Sequence, residues 1–361
     1  MAVVTREFLA ADAALGARAV IEYCYAQGWT DGLPVVPPIQ EFVDEFLVQT
    51  NRDPDEVLMV QEHLDRSCTV RHAAINAVMA GCRPEYFPVV LAAMDGLDAS
   101  GIARGGLLQS TTGQAEIIVI NGPIRAELGF NSTGNIFGPG DRANATVGRA
   151  LRLIVMNVLG IRPHEFDQST QGSSAKYACC IAENEEDSPW GPLHVERGFA
   201  PDSSTATVQM IRGDAYVEHR STQEPEQILM TIADSMSFGG MITQVTDTPS
   251  DHGAVVVIGP EHAQLIAARG WSKQDCKQFL WENFGKRKRD LRRIGKLHAS
   301  FASEGEEAFI RSASSVNNII IVVAGANNAG VSTVCPSITT AREIGKNATQ
   351  LIRPSTTNAT L

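Results

Sequence analysis

Three short apolar runs punctuate the chain. Glu116-Ile117-Ile118-Val119-Ile120 ends in Asn121-Gly122-Pro123, Ala254-Val255-Val256-Val257-Ile258 ends in Gly259-Pro260, and Ile319-Ile320-Ile321-Val322-Val323-Ala324 ends at Gly325. Runs of this length closed by turn residues fit buried strands. Helical spacing follows the first two. Strand, glycine turn and helix in succession predict an α/β fold: a mixed or parallel sheet with flanking helices. The shared Ile-Asn-Gly-Pro and Ile-Gly-Pro endings point to an internal duplication, and so to two similar lobes. Pro, Ser, Thr and Gly gather between Pro163 and Gly172. The expected division is therefore an N-terminal lobe of residues 1–165 and a C-terminal lobe of residues 166–361.

Apolar positions at helical spacing predict helices over Thr5 to Gln27, Ile39 to Val48, Glu85 to Leu97, Ala143 to Leu159 and Glu226 to Met236. Thr69 to Ala80 has the clearest ends, with Ser67 or Thr69 as cap and Gly81 as stop. Gly28 to Pro38 carries too many glycines and prolines for a helix and must turn or extend. Thr205 to Val217 alternates apolar and polar residues and reads as a strand pair around Gly213-Asp214.

The chain has 361 residues, room for one large domain or two ordinary ones, and a formal net charge of −11. That charge opposes binding to nucleic acid and to anionic membranes. The longest apolar run, Ile319 to Ala324, is far short of a membrane span. Met1 to Glu7 lacks a basic stretch leading into an apolar one, so no secretory signal is expected. The seven cysteines form no CxxC pair. Reduced thiols in a cytoplasmic protein are the simplest expectation.

Five constellations could carry chemistry. A glycine loop, Asn131 to Asp141 with Gly138 and Gly140, runs into the helix that holds Arg142, Asn144 and Arg149. Free amides and arginines at a helix start suit a carboxylate or phosphate; the alternative is a tight turn with locally paired arginines. Its spacing is not a dinucleotide fingerprint. The second, Lys176 to Arg197, crowds Cys179, Cys180, Glu183, Asn184, Glu185, His194 and Arg197 around Pro189-Trp190. These can act as acid, base, nucleophile or ligand, or form an acidic loop anchored by Trp190. Glu183, Glu185 and His194 could hold a metal, though without rigid ligand spacing. Third, Cys68, Arg71, His72, Asn76 and Cys82 surround one helix, where a Cys–His pair would make a thiolate and packing is the alternative. Fourth, Gly325 to Ser337 superficially resembles a P-loop, but Val331 stands where the lysine belongs, leaving a substrate-facing loop at most. Fifth, Lys286-Arg287-Lys288-Arg289 with Arg292, Arg293 and Lys296 forms a basic run, either a solvated helix face or a contact with another subunit.

Several stretches together resemble an uncharacterised bacterial family associated with small proteins that carry a (seleno)cysteine-Gly-Ser-Cys motif. They are residues 28–38 (Gly-Trp-Thr-Asp-Gly-Leu-Pro-Val-Val-Pro-Pro), residues 77–88, Glu183-Asn184-Glu185, Ser188-Pro189-Trp190 and His194-Val195-Glu196-Arg197. The likeness covers most of the chain. It implies a two-component system with reactive thiol or selenol chemistry and supplies no activity. The family's last loop reads Gly-Gly-Pro-Gly-Lys-His-Ser. Here it is Gly325-Ala326-Asn327-Asn328-Ala329-Gly330-Val331-Ser332, so a Lys-His pair is missing.

The leading expectation is an enzyme, or the larger subunit of one, of lyase or oxidoreductase type. A small anionic organic substrate would sit at Asn131, Gly138, Gly140, Arg142, Asn144, Arg149 and Asn184. Cys82, Glu183, Glu185, His194 and Arg197 would supply thiol or acid–base groups for reductive cleavage or for C–S, C–N or C–halogen lysis. The alternatives are a metal-dependent hydrolase or lyase and a non-catalytic assembly subunit. No cofactor is identified. A partner subunit and a homo-oligomer are the expected protein contacts.

Overall fold

The structure is a computed structural model that describes residues 13–101, 107–238, 240, 251–339 and 348–355. Phe8 and Leu9 of the first expected helix lie outside them; the described part of that helix is α1 (Ala13–Ala26).

The three apolar runs are strands buried on both faces, β3 (Ala115–Asn121), β7 (Asp251–Ile258) and β10 (Ile319–Val323). Their alternation shows why both faces must be apolar. Ile118 and Ile120 pack against helices, while Ala115, Ile117 and Val119 pack against a second sheet. Ala254, Val256 and Ile258 likewise face helices, and Val255 and Val257 face β3 with Ile320 and Val322 of β10. Two four-stranded mixed sheets are thus stacked face to face with helices outside, giving four layers.

The first sheet has the order β12 (Thr349–Leu351), β5 (Thr205–Ile211), β3, β4 (Cys180–Ala182). The second has the order β6 (Ala215–Glu218), β11 (Val331–Thr339), β7, β10. In each, the central strand has a parallel neighbour on one side and an antiparallel one on the other, followed by an antiparallel edge. The same hydrogen bond closes both parallel pairs: Glu183 N–H to Ile120 O at 3.0 Å, and Ala324 N–H to Ile258 O at 3.1 Å. The helices correspond as well. α4 (Phe87–Ala99) precedes β3 and packs on β5 and β12; α8 (Pro225–Met236) precedes β7 and packs on β11 and β6. α6 (Arg142–Asn157) covers β4, as α10 (Lys273–Asn283) covers β10. The two similar lobes are therefore a repeated unit, and they exchange edge strands. β6 follows β5 in sequence but joins the second sheet, and β12 follows β11 but joins the first.

The first sheet spans the 165/166 division, since β4 and β5 lie beyond it and both pair with β3. Thr205 to Val217 does form two strands, but not a hairpin. The chain crosses at Gly213 (φ 121°) from one sheet to the other, and Arg212 N–H donates to Pro336 O of β11.

Elsewhere the expected helices form with small shifts. α2 covers Gln40–Leu47, and α3 (Val70–Ala80) carries a capping box between Thr69 and His72 and ends at Gly81 with φ 86°. Cys68 precedes α3, in the strand β2 (Arg66–Thr69) that pairs with β1 (Val57–Gln61), so it does not share a helix face with His72. Its thiol contacts Thr69 O while His72 Nδ1 accepts from Thr69 N–H. Only the first part of the Gly325-to-Ser337 segment is a loop: its second half is β11, and Cys335 is fully buried there. Among the described residues no helix is long and apolar enough to cross a membrane.

Candidate functional site

Of the expected catalytic residues Cys82, Glu183, Glu185, His194 and Arg197, the structure brings Glu183, Glu185 and His194 together, as a buried clasp between the two units. Glu183 closes β4 and is 0% exposed. Its Oε2 accepts from Asn121 Nδ2 at 2.6 Å and from Leu193 N–H at 2.8 Å. Its Oε1 accepts from Val323 N–H of the second sheet at 3.4 Å and lies 3.7 Å from Lys273 Nζ on α10. Glu185 Oε1 accepts from Gly122 N–H at 2.8 Å and from Asn121 Nδ2 at 3.0 Å, and lies 3.2 Å from Arg125 Nε. Arg125 reaches the Glu183 carbonyl at 2.7 Å and grips Glu186 with both terminal nitrogens. Buried His194 places Nδ1 3.9 Å from Glu185 and Nε2 3.3 Å from Pro201 O. Arg197 is half-buried at the end of the short helix α7 (Leu193–Glu196). Asn184 spans the units, its N–H donating to Val323 O at 2.7 Å and its amide to Asp187 and Gly325 O. Trp190 anchors the loop through Nε1 to Trp271 O at 3.1 Å.

Donors and cations thus occupy both Glu183 oxygens and Glu185 Oε1, while His194 Nδ1 is buried without a hydrogen-bond partner. Among the described residues no set of three or more His, Cys, Asp or Glu is placed to hold one.

The expected anion loop is also internally satisfied. Asn144 holds its start, accepting from Asn131 N–H at 2.8 Å and donating to Asn131 O and Cys180 O. Asn131 bonds Gly134 O and Asp141. A side chain at Gly138 would strike Asn135, and Gly140 holds φ 135°, so both glycines serve the turn. Arg142 donates to Gly81 O at 3.0 Å and to Cys82 O at 3.4 Å. Arg149 forms a bidentate pair with Asp31, both bonds 2.7 Å, and also donates to Leu33 O and Pro34 O. It pins the Gly28-to-Pro38 segment to α6.

Thiol chemistry meets the same obstacle. All seven cysteines are free and buried. Burial pushes the Cys82 thiol up to about 12, and those of Cys68, Cys179 and Cys276 to about 12 as well. Cys24, Cys180 and Cys335 move in the same direction for the same reason. A thiol held neutral and enclosed is a poor nucleophile.

An open arrangement lies elsewhere. Residues 163–177, of which 163–172 read from sequence as a boundary, form the wall of a cleft of about 500 Å³ that includes Asp31, Arg152, Asp167, Ser169, Lys176 and Tyr177. α6 supplies Arg152 to this wall and, one turn earlier, the Arg149 that fixes Asp31. Gly113 and Gly172 let two loops cross: a Cβ on Gly113 would sit 2.7 Å from the Gly172 Cα, and Gly113 has φ 72°. Ser173 then caps a single turn, accepting from Ala175 N–H, and that turn presents Lys176.

Two cations meet on one oxygen. Arg152 Nη2 and Lys176 Nζ both donate to Asp167 Oδ2 at 2.6 Å. Lys176 also donates to Ser169 Oγ at 2.6 Å, and Ser169 hydrogen-bonds the other Asp167 oxygen. Arg152 Nη1 is buried without a hydrogen-bond partner, 3.7 Å from Glu116 Oε1. Burial raises the Asp167 carboxyl, but the hydrogen bonds from Lys176 and Ser169 and the charge of Lys176 outweigh it, lowering it to about 2. Burial pushes the Lys176 ammonium below its ordinary value; the Asp167 hydrogen bond opposes this and the Arg152 charge adds to it. The Lys176 side chain is 13% exposed and lines the cleft. The arrangement offers an ammonium, a hydroxyl in contact with it and a fixed carboxylate.

Sequence reasoning passed over Asp167 and Ser169, and took Lys176 only as the start of the second constellation, without a role. One signal was available, since Lys176 is the only lysine in the first 272 residues. Part of the basic run from Lys286 is paired locally: Arg287 and Arg289 pair with Glu307 and Arg292 with Glu306, while buried Lys288 bonds Ala302 O and Glu304 O.

No protein-family model, curated protein or solved structure matches the chain.

Proposed function

We propose that the chain is an enzyme, or the larger subunit of one, that binds a small anionic organic molecule in the 163–177 cleft and acts on it by acid–base chemistry. Lys176 is the proton donor and cation, Ser169 is the hydroxyl that relays its proton, and Asp167 and Arg152 hold both in place. The observation that carries this reading is the convergence of Lys176, Ser169 and Asp167 within hydrogen-bond distance on the wall of an open cleft. A lyase reaction on a C–S, C–N or C–halogen bond suits these groups better than reductive cleavage by the chain's own thiols, which are all buried. Where a thiol or selenol takes part, a partner subunit supplies it, in keeping with the two-component resemblance. Seven free thiols suit a reducing compartment such as the cytoplasm.

The test is a thermal-shift screen of small carboxylates, oxo acids and phosphate esters on wild type and on Lys176→Met. At least one anion class raises the wild-type midpoint and leaves the variant unmoved. A Lys176→Met protein that responds as wild type does overturns the assignment.

A further inference from the structure

We propose that Lys176 is also a covalent residue: its amine condenses with the carbonyl carbon of a small oxo acid to form an iminium in the cleft. This rests on the cleft reading above and names its substrate class. The geometry has three parts. Lys176 lines the cleft wall, with 13% of its side chain exposed. A second cation, Arg152, shares its carboxylate oxygen, the kind of neighbour that favours a neutral, nucleophilic amine. A hydroxyl, Ser169 Oγ, lies 2.6 Å from the nitrogen. Burial and the Arg152 charge both act on Lys176 toward the neutral amine.

The step balances without any outside reagent. Ser169 takes a proton from the ammonium as it hands its own to the carbonyl oxygen, and the freed lone pair attacks the carbonyl carbon. The carbonyl oxygen gathers that proton and a second one from nitrogen, then leaves as water. An ammonium and a ketone become an iminium and one water, with a single positive charge before and after. Asp167 therefore faces a cation throughout and never needs to change charge. Its lowered pKa suits that role, because it remains a carboxylate at any pH where the amine reacts.

Lysine supply makes the experiment clean. The chain holds seven lysines, and the other six lie from Lys273 onward. Full-length protein is incubated near neutral pH with pyruvate, glyoxylate, acetoacetate or 2-oxoglutarate in the presence of cyanoborohydride, and its peptides are weighed. The expected result is a reduced adduct on Lys176 at least tenfold above any other lysine. Ser169→Ala slows its formation about tenfold or more, a modest share of what proton transfer contributes. Lys176→Arg forms none yet keeps anion-dependent thermal stabilisation. Should Lys176→Arg not fold, wild type answers through competition: lactate, which has no carbonyl, slows labelling at Lys176 and leaves no adduct. Absence of a Lys176 adduct with all four acids overturns the proposal, as does labelling no greater than at Lys286. Thermal stabilisation by an oxo acid without an adduct removes the covalent step alone. An absence of both removes the cleft reading with it.

Discussion

Two charged clusters in this molecule use the same kinds of residues toward opposite ends. The clasp around Glu183 is closed: the carboxylate is fully buried and takes donors from both sheets and from α7. The cleft around Asp167 is open: one carboxylate is saturated, but the lysine that helps to saturate it lines the cleft and stays partly exposed. Buried charges that are fully paired hold a fold in register, and removing one partner strands the rest. A charge paired on one side and wet on the other can still bind or move a proton. Density of reactive side chains along the chain does not separate the two cases. Access and satisfaction do.

The largest expected effect is on the clasp. Glu183→Ala removes the acceptor of Leu193 N–H and Val323 N–H, one of the two acceptors of Asn121, and a charge beside Lys273. It should cost about 3–5 kcal/mol in urea unfolding, as breaking other buried charge networks does. A loss below about 1 kcal/mol would mean that the clasp does not hold the units together. Next is the tether of the Gly28-to-Pro38 segment. Arg149→Lys forfeits the bidentate grip on Asp31 and should cost about 1–3 kcal/mol by the same measurement.

The cleft should respond to acid. The Asp167 carboxyl sits at about 2 when folded, against about 3.9 in an unfolded chain. Its folded value is lowered, so its contribution to stability is fully present above pH 4 and is lost as pH falls from 4 through 2. Asp167→Asn should flatten the stability profile in that window and leave the slope above pH 5 unchanged. An unchanged profile between pH 4 and 2 would contradict the pairing described here. The smallest effect is expected at Cys82. Cys82→Ala should leave ligand-induced thermal shifts as in wild type, and iodoacetamide should label the native protein slowly at every described cysteine. Fast labelling of Cys82 would restore the thiol reading.

Much of the fold was legible because both faces of β3, β7 and β10 are covered, which leaves unbroken apolar runs between turn residues. α3 was legible for its Thr69 and Gly81 ends. The partners of β5 and β6 were not: alternation marks a strand, but nothing in residues 205–217 says that Gly213 carries the chain to another sheet. β11 hid behind a glycine-rich start and the polar residues Ser332, Thr333 and Ser337, which occupy a strand buried among neighbours. For the site, sequence pointed to Glu183 and Glu185 as a polar cluster and missed its role. Whether Glu183 is satisfied depends on donors 62 and 140 residues away. Lys176 stood apart only by the scarcity of lysine, a signal without chemistry until Asp167 and Ser169 are seen beside it.

The central claim is that ligand enters the 163–177 cleft and not the clasp. Calorimetric titration of the most stabilising anion into wild type, Lys176→Met and Glu185→Gln tests it most directly. The account predicts affinity at least tenfold weaker in Lys176→Met and unchanged in Glu185→Gln. Affinity lost in Glu185→Gln and retained in Lys176→Met would contradict it and return the site to the 183–197 loop.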